Sequence, residues 1–504
     1  MTNIRSDGPE ASVSPEPAPY GGLDSVFVGG SWRHGGTGLF SDNLDPWTGE
    51  SVGRVARADA ADVEEALASA KASQRDWADT SPAQRTQLFR DATHVLDARR
   101  TEIVEWLIRE AGATRGKAER EWTQTRQAFE EAGSIAHHVE GKILPSNRPG
   151  KENRVYRVPV GVVGVISPWN LPFYLTGRAM APAIALGNTV VVKPSEDTPV
   201  TGGLLHAKIL EEAGLPKGVL HVITHAREDA AALGDTLTAS DVPRVISFTG
   251  STAVGRHITR TAGIKRLALE LGGNAPVVVL GDADLEQAVD GAAYSAYANQ
   301  GQICTSGNRL IVEAPIYDAF IERFVERVKD LPYGDPSDPK TFVGPVINRR
   351  QLEGIRAKIS RARESGATVL LGGDPVGPAG LVLPPTVVLG DSATPTAREE
   401  VFGPVITILR AEDESDALRL ANDTEYGLSS AVFTRDLDRG VRFAQRVEAG
   451  MSHVNDASAY DEPHMPFGGE KNSGVGRSGG EWIVDEYTTP HWISIQHTPA
   501  PRLP

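Results

Sequence analysis

Between residues 154 and 275 five short apolar, β-branched runs follow one another: "VGVVGVISP", "NTVVVKP", "VLHVITH", "RVISFTG" and "KRLALELGG". Most are separated by ten to fifteen residues that read as helix, such as "TPVTGGLLHAKILEEAG". Apolar strands alternating with helices predict an α/β fold with a mainly parallel sheet covered on both faces. The alternation recurs after residue 276, from "APVVVLGDADLEQAVDGAAYSAYANQ" to "SSAVFTRDLDRGVRFAQRV", which is enough for a second α/β domain. The Gly/Pro-bearing "ELGGNAP" between them is a plausible hinge. A length of 504 residues fits two or three domains. Before the first strand run, Asp59 to about Gln127 is helical in pattern. Val63, Leu67 and Ala70 share one face there, and Ser81-Pro82 signals a helix start.

The net charge of -15 disfavours nucleic acid or an anionic membrane as the main partner. No run approaches the roughly eighteen apolar residues of a membrane span. Cys304 is the only cysteine, so no intrachain disulfide forms, and no Cys/His cluster has the spacing of a zinc site. "MTNIRSDGPEASVSPEPAPYGG" lacks the apolar core of a secretory signal and reads as a disordered tail. A reducing, cytoplasmic address is the simplest expectation.

Parallel sheets bind ligands beyond the carboxyl ends of their strands. Four polar or glycine-bearing segments end apolar runs: "SPWN" (167–170), "KPSE" (193–196), "FTGS" (248–251) and "ELGG" (270–273). Each alone is an ordinary strand-ending loop; together they suggest a nucleotide site. Gly250 and Ser251 precede a helix whose N–H groups suit a phosphate. Lys193 and Glu196 suit the two hydroxyls of an adenosine ribose, and a carboxylate there disfavours a 2′-phosphate, so NAD is expected ahead of NADP. Glu270, at the end of an apolar run, reads either as a salt-bridged carboxylate or as a general base. Asn170 is either a turn residue before Pro172 or an oxyanion donor. Cys304 in "NQGQICTSGNRL" is buried ballast or a nucleophile.

With these blocks in order, the chain resembles the aldehyde dehydrogenase superfamily. "LELGGNAP" followed 34 positions later by the cysteine of "GQIC" is similar to its general-base and nucleophile motifs. "PWNLP", "KPSE", "FTGS", "EEVFGP" and "PFGGEKNSGVGR" are similar to its other blocks, and the likeness spans nearly the whole chain. The resemblance implies a Rossmann-type cofactor domain, an α/β catalytic domain and a β-hairpin oligomerisation arm. It implies a tail over 1–22, an NAD-binding domain from 23–140 and 161–271, a catalytic domain over 272–484, and an arm from 141–160 and 485–504. The exposed alternating segments "NRVYRVPV" and "HWISIQ" would form that arm, in a homodimer or homotetramer.

Carried over by position, Cys304 is the thiol that attacks an aldehyde carbonyl, Asn170 and the Cys304 N–H are oxyanion donors, and Glu270 activates the water that hydrolyses the thioester. Glu400 and Phe402 hold the nicotinamide ribose and ring. Ile166, Ser167, Trp169, Lys193, Ser195, Glu196, Gly250, Ser251 and Leu271 complete the cofactor side. Asn455 and "PFGG" are structural or pocket-forming. The presence of Glu270 implies water, not coenzyme A, as acyl acceptor. A catalytically silent protein on this fold is the alternative from another class, and the retained Cys304, Glu270 and Asn170 argue against it.

The chain departs from the family pattern at Ser478, where many members carry a second relay glutamate, at Ala179, often basic, and in "THARED", which lacks the usual glycines. "VITHARED", an arginine in "LPFYLTGRAM" and "DEPHMPFGG" are similar to the benzaldehyde, vanillin and salicylaldehyde branch. The substrate pocket is then expected from Phe173, Tyr174, Arg178, Ile303 and Thr305. Phe173 and Tyr174 either stack on a substrate ring or pack the helix. Arg178 pairs with a substrate phenolate or carboxylate, or with Asp456 or Asp461. An aliphatic semialdehyde is the alternative substrate.

Overall fold

Five of the apolar runs become the parallel centre of an eight-stranded sheet, in the order Leu220–Val222, Thr189–Lys193, Val162–Ile166, Pro243–Thr249 and Arg266–Glu270. The computed structural model describes residues 17–499. The first of these five in the chain is therefore the middle one in space, and the order reverses between Val162–Ile166 and Pro243–Thr249. Such a switch point opens a crevice at the carboxyl ends of the two strands, because the following connections leave toward opposite faces. The tops are level: Ile166 pairs with Lys193 on one side and Phe248 on the other, and Thr249 pairs with Glu270. Val190, Val191 and Val192 are fully buried, as two covered faces require.

At one edge Val26–Val28 and Ser31–Arg33 add antiparallel strands. At the other, Gly474–Val475 runs antiparallel to Arg266–Glu270 and carries the segment containing Ser478 to Glu270. Helices Ala60–Ala78, Pro82–Ala98, Arg100–Ala111 and Arg115–Ile135 follow the early helical pattern. Asp59 and Ser81 cap the first two reciprocally with Asp62 and Gln84, each cap worth about 1 kcal/mol.

The second sheet has seven strands, in the order Thr368–Leu371, Thr386–Leu389, Val405–Ala411, Gly307–Glu313, Ala275–Val279, Ala431–Phe433 and His453–Val454, parallel except for the first pair. A third sheet joins Lys142–Leu144, Lys151–Pro159 and Thr488–Gln496 antiparallel, the last two in register over nine pairs. Ile143 and Trp492 on it are 74% and 64% exposed.

The expected tail needs correction at its end. Residues 1–16 lie outside the described residues, as do 500–504 of the expected arm. Tyr20, however, is fixed: Arg99 stacks 3.5 Å above its ring, and its hydroxyl donates to Glu212 at 2.5 Å. A cation–π contact joined to a charge-assisted hydrogen bond orders a segment whose composition alone reads as disordered.

Candidate active site

Two cavities meet at one side chain. The larger, about 220 Å³, lies at the switch point and is walled by Trp169, Gly250, Ser251, Leu271, Glu400 and Phe402, all expected from the sequence. Its floor is Cys304. The smaller, about 50 Å³, approaches from the other side between Tyr174, Ile303, Thr305 and Phe467, and it also ends on Cys304. Among the described residues, Cys304 is the one that lines both.

The Cys304 loop is held in an uncommon backbone. Asn299, Gln300 and Gly301 have φ of 49°, 56° and 66°, a conformation that costs non-glycine residues of order 1–3 kcal/mol each unless the surroundings enforce it. Here they do: the Asn299 amide donates to the Asn170 carbonyl at 3.1 Å, and the Gln300 amide to the carbonyls of Gly112 and Pro345 at 3.2 and 3.0 Å. The Asn170 amide nitrogen donates to the Gln302 carbonyl at 2.8 Å. That bond uses one of its two N–H groups and fixes the other within the buried site. "ELGG" is explained by crowding: a Cβ on Gly273 would stand 1.9 Å from the Cys304 carbonyl oxygen, and one on Gly272 2.6 Å from Glu400 Oε2.

Glu270, at the end of its strand, is gripped at both oxygens. Arg178 Nη2 donates to one at 2.6 Å and Ser478 Oγ to the other at 2.5 Å. Arg178 Nη1 also donates to Asp461 at 2.8 Å, and the Tyr174 hydroxyl donates to the same Asp461 oxygen at 3.0 Å. Burial opposes the Arg178 charge, but Glu270, Tyr174 and Asp461 outweigh it and hold the guanidinium pKa above its ordinary value. Of the two acids expected as partners of Arg178, it is Asp461 that pairs. A direct Arg178–substrate ion pair does not fit this arrangement, because the guanidinium is buried between two carboxylates. Ser478 stands at one of the two positions where a relay group is missing, and Arg178 is the residue before the other, Ala179.

Burial pushes the Cys304 thiol well above its usual range, and Glu270 and Glu400 push the same way. The resting site therefore holds a protonated thiol. Burial raises Glu400 to about 7, against the lowering effect of the Gly273 N–H, which donates to its Oε1 at 2.8 Å.

Phe173 is not in the tunnel: it is fully buried and stacks on His206 with centroids 4.4 Å apart. Ile166, Ser167, Lys193, Ser195 and Glu196 sit at and just beyond the carboxyl ends of two central strands but outside the 220 Å³ cavity. The Ser167 N–H donates to the Lys193 carbonyl at 3.1 Å, and Ser195 Oγ lies 3.4 Å from Glu196. Burial lowers the Lys193 ammonium to about 8, with Glu196 acting against it. Asn455 is structural, its side-chain oxygen accepting the Thr434 N–H at 2.9 Å.

Sequence reasoning missed Lys358, Gln351 and Thr249 in the larger cavity, and Tyr294 and Arg120 in the tunnel. No motif marks Lys358, whose Nζ donates to the Glu400 carbonyl at 2.6 Å. Thr249 lies inside "FTGS" and was within reach.

The larger cavity suits a dinucleotide. Glu400 Oε2 faces it without a protein donor among the described residues, an acceptor left for ribose hydroxyls. The helix Thr252–Thr261 opens beside it with Ser251 as cap.

This fold and site define an aldehyde dehydrogenase, and the chain belongs to the aldehyde dehydrogenase family, whose model matches residues 32–493. It is 48% identical to a vanillin dehydrogenase of Corynebacterium glutamicum over 95% of this chain and 100% of that one. It is 44% identical to a benzaldehyde dehydrogenase of Bacillus subtilis over 95% and 98%. The crystal structure of an NAD-dependent benzaldehyde dehydrogenase from Corynebacterium glutamicum superposes with a TM-score of 0.86 at 45% identity, covering 95% and 98% of the chains.

Proposed function

We propose that this protein oxidises aromatic aldehydes to carboxylic acids with NAD as acceptor, through a thioester on Cys304. The observation that carries the reading is the meeting of both cavities at that thiol. Aromatic preference is supported by Tyr174, Phe467 and Tyr294 along the tunnel and by the relatives' substrates.

When bound, the nicotinamide would supply a hydride acceptor and a positive charge. The residues do the rest. Cys304 sulfur, once its proton has passed to solvent in the cavity, adds to the carbonyl carbon, and the alkoxide is met by the free Asn170 N–H and the Cys304 N–H. Loss of hydride leaves the thioester. Glu270 then exchanges one of its two hydrogen bonds for a water and takes its proton as the oxygen attacks; the thiolate leaves and the acid is released. The Ser478 hydroxyl is the easier partner to exchange, because Arg178 remains fixed by Asp461. Glu400, Phe402 and Trp169 hold the nicotinamide end, and Ser251 and Gly250 the pyrophosphate end. Lys193 and Glu196 hold the adenosine ribose. Arg227 Nη1, 3.3 Å from Glu196, offsets part of the repulsion that Glu196 presents to a 2′-phosphate, so NADP is accepted more weakly rather than refused. The three-stranded arm, with Ile143 and Trp492 exposed, pairs with a second copy.

Initial rates with benzaldehyde, vanillin, salicylaldehyde, hexanal and succinate semialdehyde test the reading. The aromatic aldehydes are expected to give the higher kcat/KM; preference for hexanal or the semialdehyde contradicts the aromatic assignment.

Glu400 also predicts a pH dependence. Its ionised form is the better acceptor for ribose hydroxyls, and burial raises its pKa to about 7. NAD affinity should therefore increase as pH rises through 7. Kd is expected to be about tenfold weaker at pH 6 than at pH 8. Fluorescence titration of NAD checks this, and Glu400→Gln should flatten the profile.

A further inference from the structure

We propose that Arg120 makes the tunnel selective for aromatic aldehydes that carry an anionic oxygen, a carboxylate or phenolate, on the ring position remote from the aldehyde. The inference rests on the aldehyde-oxidation reading above and adds the charge of the substrate to it.

The tunnel wall carries three charged side chains: Lys117, Arg120 and Asp461. Two are neutralised within the protein. Lys117 Nζ lies 2.5 Å from Glu121 and both are buried. The other Glu121 oxygen accepts the N–H groups of Phe173 and Tyr174 at 2.9 and 3.2 Å, so that carboxylate is fully engaged. Asp461 is paired with Arg178 at 2.8 Å. Glu119, next to Arg120 in the chain, is taken by Arg100 at 2.6 Å.

Arg120 alone has no carboxylate among the described residues. Its guanidinium carbon stands 5.3 Å from the ring centroid of Tyr294, itself a wall of the tunnel, and its side chain is exposed. Cys304, which lines the same tunnel, is less exposed than Arg120. An aromatic ring inserted aldehyde-first thus leaves its far substituent toward the mouth, where the one uncompensated charge of the wall is positive. That is a local inversion of sign on a chain of net charge -15. An anionic substituent gains both the Coulomb attraction and up to five oriented N–H donors; a neutral one gains neither.

The test compares 4-formylbenzoate with its neutral counterpart 4-(hydroxymethyl)benzaldehyde and with benzaldehyde, in the full-length protein and in Arg120→Gln and Arg120→Lys. Because Arg120 is solvent-accessible, the expected preference is moderate. KM for 4-formylbenzoate should be about fivefold below that for the neutral counterpart, shrinking as salt is raised. Arg120→Gln should abolish that ratio and Arg120→Lys should keep most of it. Equal KM values for the charged and neutral aldehydes in the unaltered protein would overturn the proposal, as would a ratio untouched by Arg120→Gln. Turnover of none of the three aldehydes would overturn the aldehyde-oxidation reading itself. Loss of all activity in Arg120→Gln, with the ratio retained in Arg120→Lys at every salt concentration, would make Arg120 a structural residue and also sink the proposal.

Discussion

Replacing Cys304 by alanine is expected to lower aldehyde turnover by about 10⁴-fold or more while leaving NAD affinity within about threefold. No other thiol exists in the chain to substitute for it. The methyl group cannot form the covalent adduct, so hydride would have to leave an aldehyde hydrate instead. Cys304 contributes only the floor of the cofactor cavity, whose walls come from the switch-point loops and from Glu400 and Phe402. Steady-state rates and fluorescence titration of NAD check the two halves separately. Substantial turnover by Cys304→Ala would mean that the chemistry does not pass through this sulfur.

Glu270→Gln has the second largest expected effect, and its signature is different. Glutamine nearly matches glutamate in shape, so Arg178 and Ser478 retain a partner of the same reach. The amide cannot accept the proton of an attacking water. Steady-state turnover should fall by about 10²–10⁴-fold, with the loss confined to hydrolysis. Acylation and the first hydride transfer should survive. A rapid release of about one equivalent of NADH per active site should then precede a slow steady state. A Glu270→Gln protein that loses the burst together with the steady state would place Glu270 in the first half-reaction, as the base that deprotonates Cys304.

Much of this site was legible in the sequence, for a physical reason. In a parallel sheet the carboxyl ends of the strands lie level, so "SPWN", "FTGS" and "ELGG" had to converge once the alternation of strands and helices was recognised. The parts that were not legible depend on rotation about a helix or on partners distant in the chain. Phe173 and Tyr174 are about 100° apart around their helix, so only one faces the tunnel; the sequence does not say which. The structure turns Phe173 toward His206 and Tyr174 toward Asp461. Arg178 lies one turn beyond Tyr174 on the same face, which is why both reach Asp461. The sequence pointed to Asp461 as one of two acids and to a salt bridge as one reading of Glu270, which the structure shows, but not to the same guanidinium, 92 residues away, as its partner.

The departures at Ser478 and Ala179 acquire a meaning from that arrangement. Proton-relay groups expected of the family are absent, and Glu270, the proposed general base, is instead held by a guanidinium and a hydroxyl. The Glu270 carboxylate is thus linked to the tunnel wall by the hydrogen-bonded chain Tyr174–Asp461–Arg178.

The most direct test of the thioester mechanism is the intact mass of Glu270→Gln mixed with benzaldehyde and NAD and quenched in acid. The account predicts one benzoyl group per chain, formed with the same rate constant as the NADH burst and located on Cys304 by peptide mapping. NADH release with no adduct on that cysteine would contradict it.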